Sequence, residues 1–181
     1  MSGFLCSMVG ASFTATAAAL VGRTQKTIAT NGNTQVSTAQ SQFGGASALF
    51  DGSGDYLQLD SFGTVAGSSQ NFTIEFWIRW SSLTGGQGLV SDRSPTVDTY
   101  GTTNFYFEKN SSNTLYFGYY TGGDITGTSS VAANTWYHIA VVRNSGTTKF
   151  YLNGTTSGTT LSYTGVVGTT NLSIGAVVGQ Y

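Results

Sequence analysis

Phe72-Thr-Ile-Glu-Phe-Trp-Ile-Arg-Trp80 places a large apolar residue at every second position, with Thr73, Glu75, Trp77 and Arg79 between them. A side-chain period of two is that of a strand with one face in a core. Outward from it, Thr135-Trp-Tyr-His-Ile-Ala-Val-Val-Arg143 is apolar on both parities at its centre, which predicts a strand deep in a sandwich with something packed on each side. Lys149-Phe-Tyr-Leu-Asn-Gly154 reads as the next strand, ending in an Asn-Gly turn. The same alternation predicts strands at residues 47–50, 56–60, 88–91, 104–108, 114–120 and 171–175. Between them stand turn signals such as Gly52-Ser-Gly54, Gly85-Gly86, Asn110-Ser-Ser-Asn113, Gly122-Gly123 and Asn144-Ser-Gly146, whose Gly and Asn tolerate the positive φ of tight turns. The only helix candidate is the short Ala15 to Leu20 piece.

The chain has 181 residues, a length that fits one all-β domain with a single core. Hydrophobic residues make up 39% and aromatics 13%, so apolar mass for a core is present. Charged residues are only 8%, against about a quarter in ordinary globular domains, so solubility rests on Ser, Thr, Asn and Gly. That suits a protein packed against neighbours or one working outside a cell. A net charge of −1 with scattered Lys and Arg removes the electrostatic case for nucleic acid. Cys6 is the only cysteine, which excludes an intrachain disulfide and a cysteine-based zinc site. No apolar run is long enough to predict a membrane-inserted helix. Residues 1–22 carry no charge and lack the positive start of a secretory signal, although Ala15-Thr-Ala17 offers a cleavage-like site; the reading favours a mature N-terminal arm or edge strand.

Five ordered blocks carry a family resemblance: Phe43-Gly-Gly-Ala-Ser-Ala-Leu-Phe-Asp-Gly-Ser-Gly-Asp-Tyr-Leu57, Phe72 to Trp80, Trp136 to Arg143, Lys149 to Gly154, and Leu172-Ser-Ile-Gly-Ala176. Their order and spacing resemble a laminin-G-like domain of the concanavalin A-like lectin/glucanase superfamily. The resemblance implies an all-β, two-sheet antiparallel jelly-roll sandwich over residues 43–181, preceded by an N-terminal arm or edge region over 1–42. It also implies a further inner strand after the last block, which this sequence lacks. The expected occupants of that slot are chain beyond Tyr181, the N-terminal arm, or a neighbouring subunit, because unpaired inner-strand amides are costly.

The chemical candidates are few. Glycosidases of this superfamily carry carboxylates in a Glu-x-Asp-x-x-Glu pattern, and none of the eight acids repeats at that spacing. Glu75 stands without a second carboxylate on its strand, and the lone His138 forms no hydrolase triad, so His138 is read as structural and the protein as not an enzyme. No cofactor is expected, with Ca²⁺ left open: the resemblance implies an ion near the Phe-Asp-Gly turn, where Asp51 and Asp55 offer two hard oxygens of the roughly six to eight needed. Both acids serve equally well as turn formers. The inventory of 11 Phe, 10 Tyr and 3 Trp supports glycan binding only where aromatics lie outside the core. In the hairpin 104–120, Phe105, Phe107, Leu115, Phe117 and Tyr119 form the inward set, leaving Tyr106, Tyr116 and Tyr120 as candidate sugar plates, or as cross-strand packing. Trp77 and Arg79 share a strand face and are expected to stack on each other.

Within the family, the Met-Ser-Gly-Phe-Leu-Cys opening and Ser41-x-Phe-Gly-Gly-Ala-Ser-Ala-Leu-Phe-Asp-Gly52 are most similar to domains in structural proteins of tailed marine bacteriophages. The expectation is therefore a non-enzymatic virion surface protein, a capsid decoration or tail or fibre component, with host-glycan adhesion as an added role. Phe4, Leu5, Val9, Phe13, Leu20 and Val21 would dock it on other virion subunits or on copies of itself. The alternative is a secreted or cell-surface lectin-like module, with a glycoside hydrolase behind both.

Overall fold

The computed structural model describes residues 27–59, 64–92, 105–168 and 171–176, together with the backbone of residues 4–7. Its strands are β1 (Phe4–Ser7), β2 (Ile28–Asn31), β3 (Gln35–Ser37), β4 (Ser47–Phe50), β5 (Tyr56–Leu59), β6 (Phe72–Trp80), β7 (Gln87–Ser91), β8 (Phe105–Lys109), β9 (Thr114–Tyr119), β10 (Gly123–Ser130), β11 (Trp136–Asn144), β12 (Thr147–Leu152), β13 (Thr155–Thr156), β14 (Leu161–Ser162) and β15 (Leu172–Ile174). They form an eight-stranded sheet in the order β13-β12-β11-β6-β1-β4-β3, with β14 also on β12, and a seven-stranded sheet in the order β10-β9-β8-β7-β15-β5-β2. The expected two-sheet antiparallel jelly-roll sandwich is borne out.

The period of two decides which residues fill the space between the sheets. From β6, Phe76, Ile78 and Trp80 point inward and are buried; from β11, Ile139 and Val141 join them. The seven-stranded sheet contributes Phe105, Phe107, Leu115, Phe117, Tyr119 and Ile125, each at most 1% exposed. Phe107 is the hub: its ring meets Phe76 at 5.7 Å, Phe150 at 5.7 Å and Phe117 at 5.9 Å, all edge-on. Burying each such side chain contributes about 1.5–3 kcal/mol, and the edge-to-face geometry adds to it.

Two cations are fully buried at strand ends, each on the inward parity of its strand. Arg143 donates from Nε to the Gln70 carbonyl (2.8 Å), from Nη1 to Gly165 (2.7 Å) and from Nη2 to Gly67 (2.8 Å), with its guanidinium 5.1 Å from the centre of the Phe72 ring. It ties segments 64–70 and 163–168 to β11, beside the bridge between Ala66 and Val167. Lys109 points inward from β8 and donates to the carbonyls of Leu83 (2.9 Å), Gly85 (2.6 Å) and Asn110 (3.2 Å) and to Asn113 Oδ1 (3.2 Å). Burial lowers its pKa, and the carbonyl dipoles are what make a buried ammonium tolerable.

Three expectations differ from what forms. β11 is buried on both parities only from Ile139 to Val141; its outward residues Trp136, His138 and Val142 are partly exposed. Trp77 and Arg79 do not stack: Arg79 Nη2 donates to Asn134 Oδ1 at 2.9 Å, while Trp77 meets Phe43 and His138. Of the arm or edge region expected over residues 1–42, β2 and β3 lie at sheet edges, whereas the backbone of β1 does not. The backbone of Phe4 and Leu5 pairs with Trp80 and Arg79 of β6 on one side and with Phe50 and Leu49 of β4 on the other, so β1 is an inner strand. β2 and β3 form one edge of each sheet.

Candidate functional site

β8, β9 and β10 bring a tyrosine cluster onto the outward face of the seven-stranded sheet. The register sets Tyr106 opposite Gly118 and Gly118 opposite Asp124, and in the next row Glu108 opposite Tyr116 and Tyr116 opposite Thr126. Tyr106 and Tyr116 are thus diagonal neighbours, within reach for aromatic side chains. Their rings lie 5.5 Å apart, tilted by 30°, and their hydroxyls are 3.3 Å apart. The Tyr106 hydroxyl donates to Asp124 Oδ1. Its one proton is therefore used, so Tyr116 is the donor in the contact between the hydroxyls, giving a directed chain Tyr116 to Tyr106 to Asp124.

Gly118 makes this possible. A Cβ there would sit 2.2 Å from Asp124 Oδ1 and 2.4 Å from the Tyr106 hydroxyl oxygen, so only glycine lets the ring cross β9 to reach β10. Burial, reinforced by the bond to Asp124, pushes the Tyr106 hydroxyl far above the usual tyrosine value of 10.0. The Tyr116 hydroxyl is also raised, mainly by burial. Both phenols are neutral donors and acceptors over the whole physiological range. The result is a half-buried pair of aromatic plates with a carboxylate at one end, able to carry an apolar ring face and to accept hydrogen bonds from hydroxyls at its edge.

Of the three tyrosines expected to face outward, Tyr106 and Tyr116 are brought together. Tyr120 lies in the turn after β9, 48% exposed, at the rim of the sheet. Asp124 and Gly118 were missed by the sequence reading. The signal that would have found them is Gly-x-x-x-x-x-Asp across a tight turn, which sets the two residues opposite each other on adjacent strands.

Asp51 and Asp55 act at the corner where the chain passes between sheets. Asp55, 5% exposed, accepts the Asn33 amide on Oδ1 (2.7 Å) and the Asp51 amide on Oδ2 (2.7 Å), and Asp51 Oδ1 accepts the Ser53 amide (2.8 Å). Asp55 staples the β2–β3 turn to the β4–β5 turn; with φ +66 at Gly32, a Cβ there would meet Asp55 Oδ1 at 2.2 Å. These oxygens are committed to backbone amides, and no group of three His, Cys, Asp or Glu residues suited to a metal is gathered among the described residues. The pair acts as a turn staple. Val9, Phe13, Leu20 and Val21 lie outside the described residues. Among the described residues no helix is long and apolar enough to cross a membrane.

Comparison with known proteins agrees with this architecture. The sequence profile of the Concanavalin A-like lectin/glucanases superfamily matches residues 51–180. No curated protein sequence matches the chain. Among solved structures, the chain is similar to domain 4 of AbnA, a GH43 extracellular arabinanase from Geobacillus stearothermophilus, in complex with arabinotriose: TM-score 0.57, 17% identity, 84% of this chain and 74% of that one. It also matches a heptameric SAP-like pentraxin from Limulus polyphemus with TM-score 0.44, 18% identity, 66% of this chain and 56% of that one. At these identities the likeness is one of fold.

Proposed function

The chain belongs to the Concanavalin A-like lectin/glucanases superfamily, and from that premise we propose that it is a non-enzymatic glycan-binding protein of a virion surface. The observation that carries the binding role is the Tyr116–Tyr106–Asp124 chain laid across Gly118. Its two plates suit the apolar face of a sugar ring, and the exposed Asp124 suits hydroxyl donors. The similar domain of the arabinanase was captured with arabinotriose, which supports a saccharide as the ligand class.

The absence of the Glu-x-Asp-x-x-Glu pattern supports binding without hydrolysis. Asp124 and Glu108 also lie two strands and two residues apart in register, which spaces their Cα atoms roughly 12 Å. Placement on a virion, among other subunits or copies of the same chain, rests on the resemblance of the residues around Phe43 to Gly52 to phage structural domains. A charge content of 8% and a single cysteine suit such an assembly.

A glycan array tests the binding role. The protein is expected to retain at least one class of glycan, and Tyr106→Ala and Tyr116→Ala are each expected to lose it without loss of the fold by circular dichroism. Retention unchanged in both variants would refute the assignment. For the virion role, the protein should be found in symmetric copies on purified particles; its absence from them would refute that part alone.

A further inference from the structure

The opposite outward face, on the eight-stranded sheet, carries its own set of polar and aromatic groups around Trp77. Glu75, Trp77 and Arg79 share one face of β6, and the register puts His138 beside Trp77 and Ala140 beside Glu75. The Trp77 ring is held between Phe43 (centroids 5.6 Å, edge-on) and His138 (5.3 Å). His138 Nε2 lies 3.4 Å from Glu75 Oε2, and the His138 backbone amide is tied to Asn153 Oδ1 at 2.8 Å, so the carboxylate sits beside the imidazole and the indole. Phe43 remains 51% exposed and the Glu75 side chain 63%.

Ala140, itself buried, separates Glu75 from Tyr151, its partners on either side. Further along the same strands lies a shallow, open hollow of about 420 Å³ lined by Thr73 and Val142 and edged by Asn71 and Asn144. From Trp77 to Thr73 is four residues of strand, roughly 13 Å. An aromatic plate, an exposed carboxylate and an amide-edged hollow therefore follow one another in a line along β6 and β11.

We infer that this face is a second saccharide site, taking a linear oligosaccharide along β6 and β11 with one ring on Trp77 and a hydroxyl on Glu75, so that the domain is bivalent. A protein partner laid on the same face would have to desolvate the Glu75 carboxylate against apolar surface, which is costly. Sugar hydroxyls satisfy that carboxylate while their ring covers the indole. The site shares no residue with the tyrosine cluster.

Tryptophan emission open to iodide reports on this face. Of the three tryptophans, Trp77 and Trp136 face outward here and Trp80 is fully buried, while the tyrosine face has none among its described residues. The test is iodide quenching of the full chain with soluble arabino-, xylo-, cello- and β-galacto-hexaoses, each alone. At least one should protect the emission, equally in the wild type and in Tyr106→Ala. Protection should vanish in Trp77→Ala and need about tenfold more sugar in Glu75→Gln, the value of one charge-assisted hydrogen bond. No protection by any sugar, protection that persists in Trp77→Ala, or an unshifted Glu75→Gln curve would overturn the inference. Protection lost in Tyr106→Ala would place the sugar on the other sheet alone and also overturn it, leaving the tyrosine site intact.

Discussion

The two outward faces of the sandwich hold similar residues in different states of engagement. On the seven-stranded sheet the polar ends of Tyr106 and Tyr116 are already bonded, to each other and to Asp124, and both rings are half-buried. On the eight-stranded sheet the Glu75 carboxylate, mostly in water, meets the His138 imidazole edge, and Phe43 stands half in water. The first face is ordered before a ligand arrives, so binding there loses little side-chain entropy; the second must order Glu75 on binding. One fold thus supplies a rigid plate and an open plate from the same strand period, according to whether a glycine lets neighbouring strands' side chains meet.

Substitutions separate what the faces share from what each owns. Phe107→Ala removes the hub between the sheets and should cost about 3–5 kcal/mol in denaturant unfolding, taking both faces down together. Loss of one face alone in this variant would contradict a shared core. Arg143→Met leaves the carbonyls of Gln70, Gly165 and Gly67 without their donor; calorimetry should show a loss of about 1–3 kcal/mol, again on both faces.

Gly118→Ala sharpens the contrast. The added Cβ must displace Tyr106 from Asp124, so array retention by the tyrosine face should fall about tenfold while iodide quenching of Trp77 stays unchanged. Alkaline pH acts through the same face and through the core. Tyr106, Tyr116 and Tyr119 have folded-state values raised above 10.0, so the folded form holds protons that the unfolded chain releases, and stability falls as pH rises past about 10. Lys109, lowered by burial, works the other way: it favours the fold as pH rises toward 10.5. With three groups against one, unfolding monitored by near-ultraviolet absorbance should show the tyrosinate signal rising together with the loss of structure. Phenol titration complete before unfolding would contradict the buried hydroxyls.

The strands with strong alternation were legible from the sequence: 47–50 and 72–80 form as read, and β8, β9, β11 and β12 differ by a residue or two at their ends. β10 was not, because Gly123-Asp-Ile-Thr-Gly-Thr-Ser-Ser130 has one large apolar residue, Ile125, and its strand state comes from pairing with β9. For the same reason Asp124 was invisible as a partner of Tyr106. The inward and outward sets of the β8–β9 hairpin followed from parity alone. Lys109 continues the inward parity of Phe105 and Phe107, and its burial depends on carbonyls from residues 83 and 85 that no local pattern shows. β1 was hidden too: its inner place depends on β4 and β6 offering two free edges, a fact of the assembled sheet.

The most direct test of the glycan-binding claim is amide and side-chain chemical-shift mapping of the full chain with an array-selected glycan. The account predicts a contiguous set of shifts at Tyr106, Tyr116, Gly118 and Asp124. Shifts confined to the turns at 51–55 and 82–86, with those four residues unmoved, would contradict it.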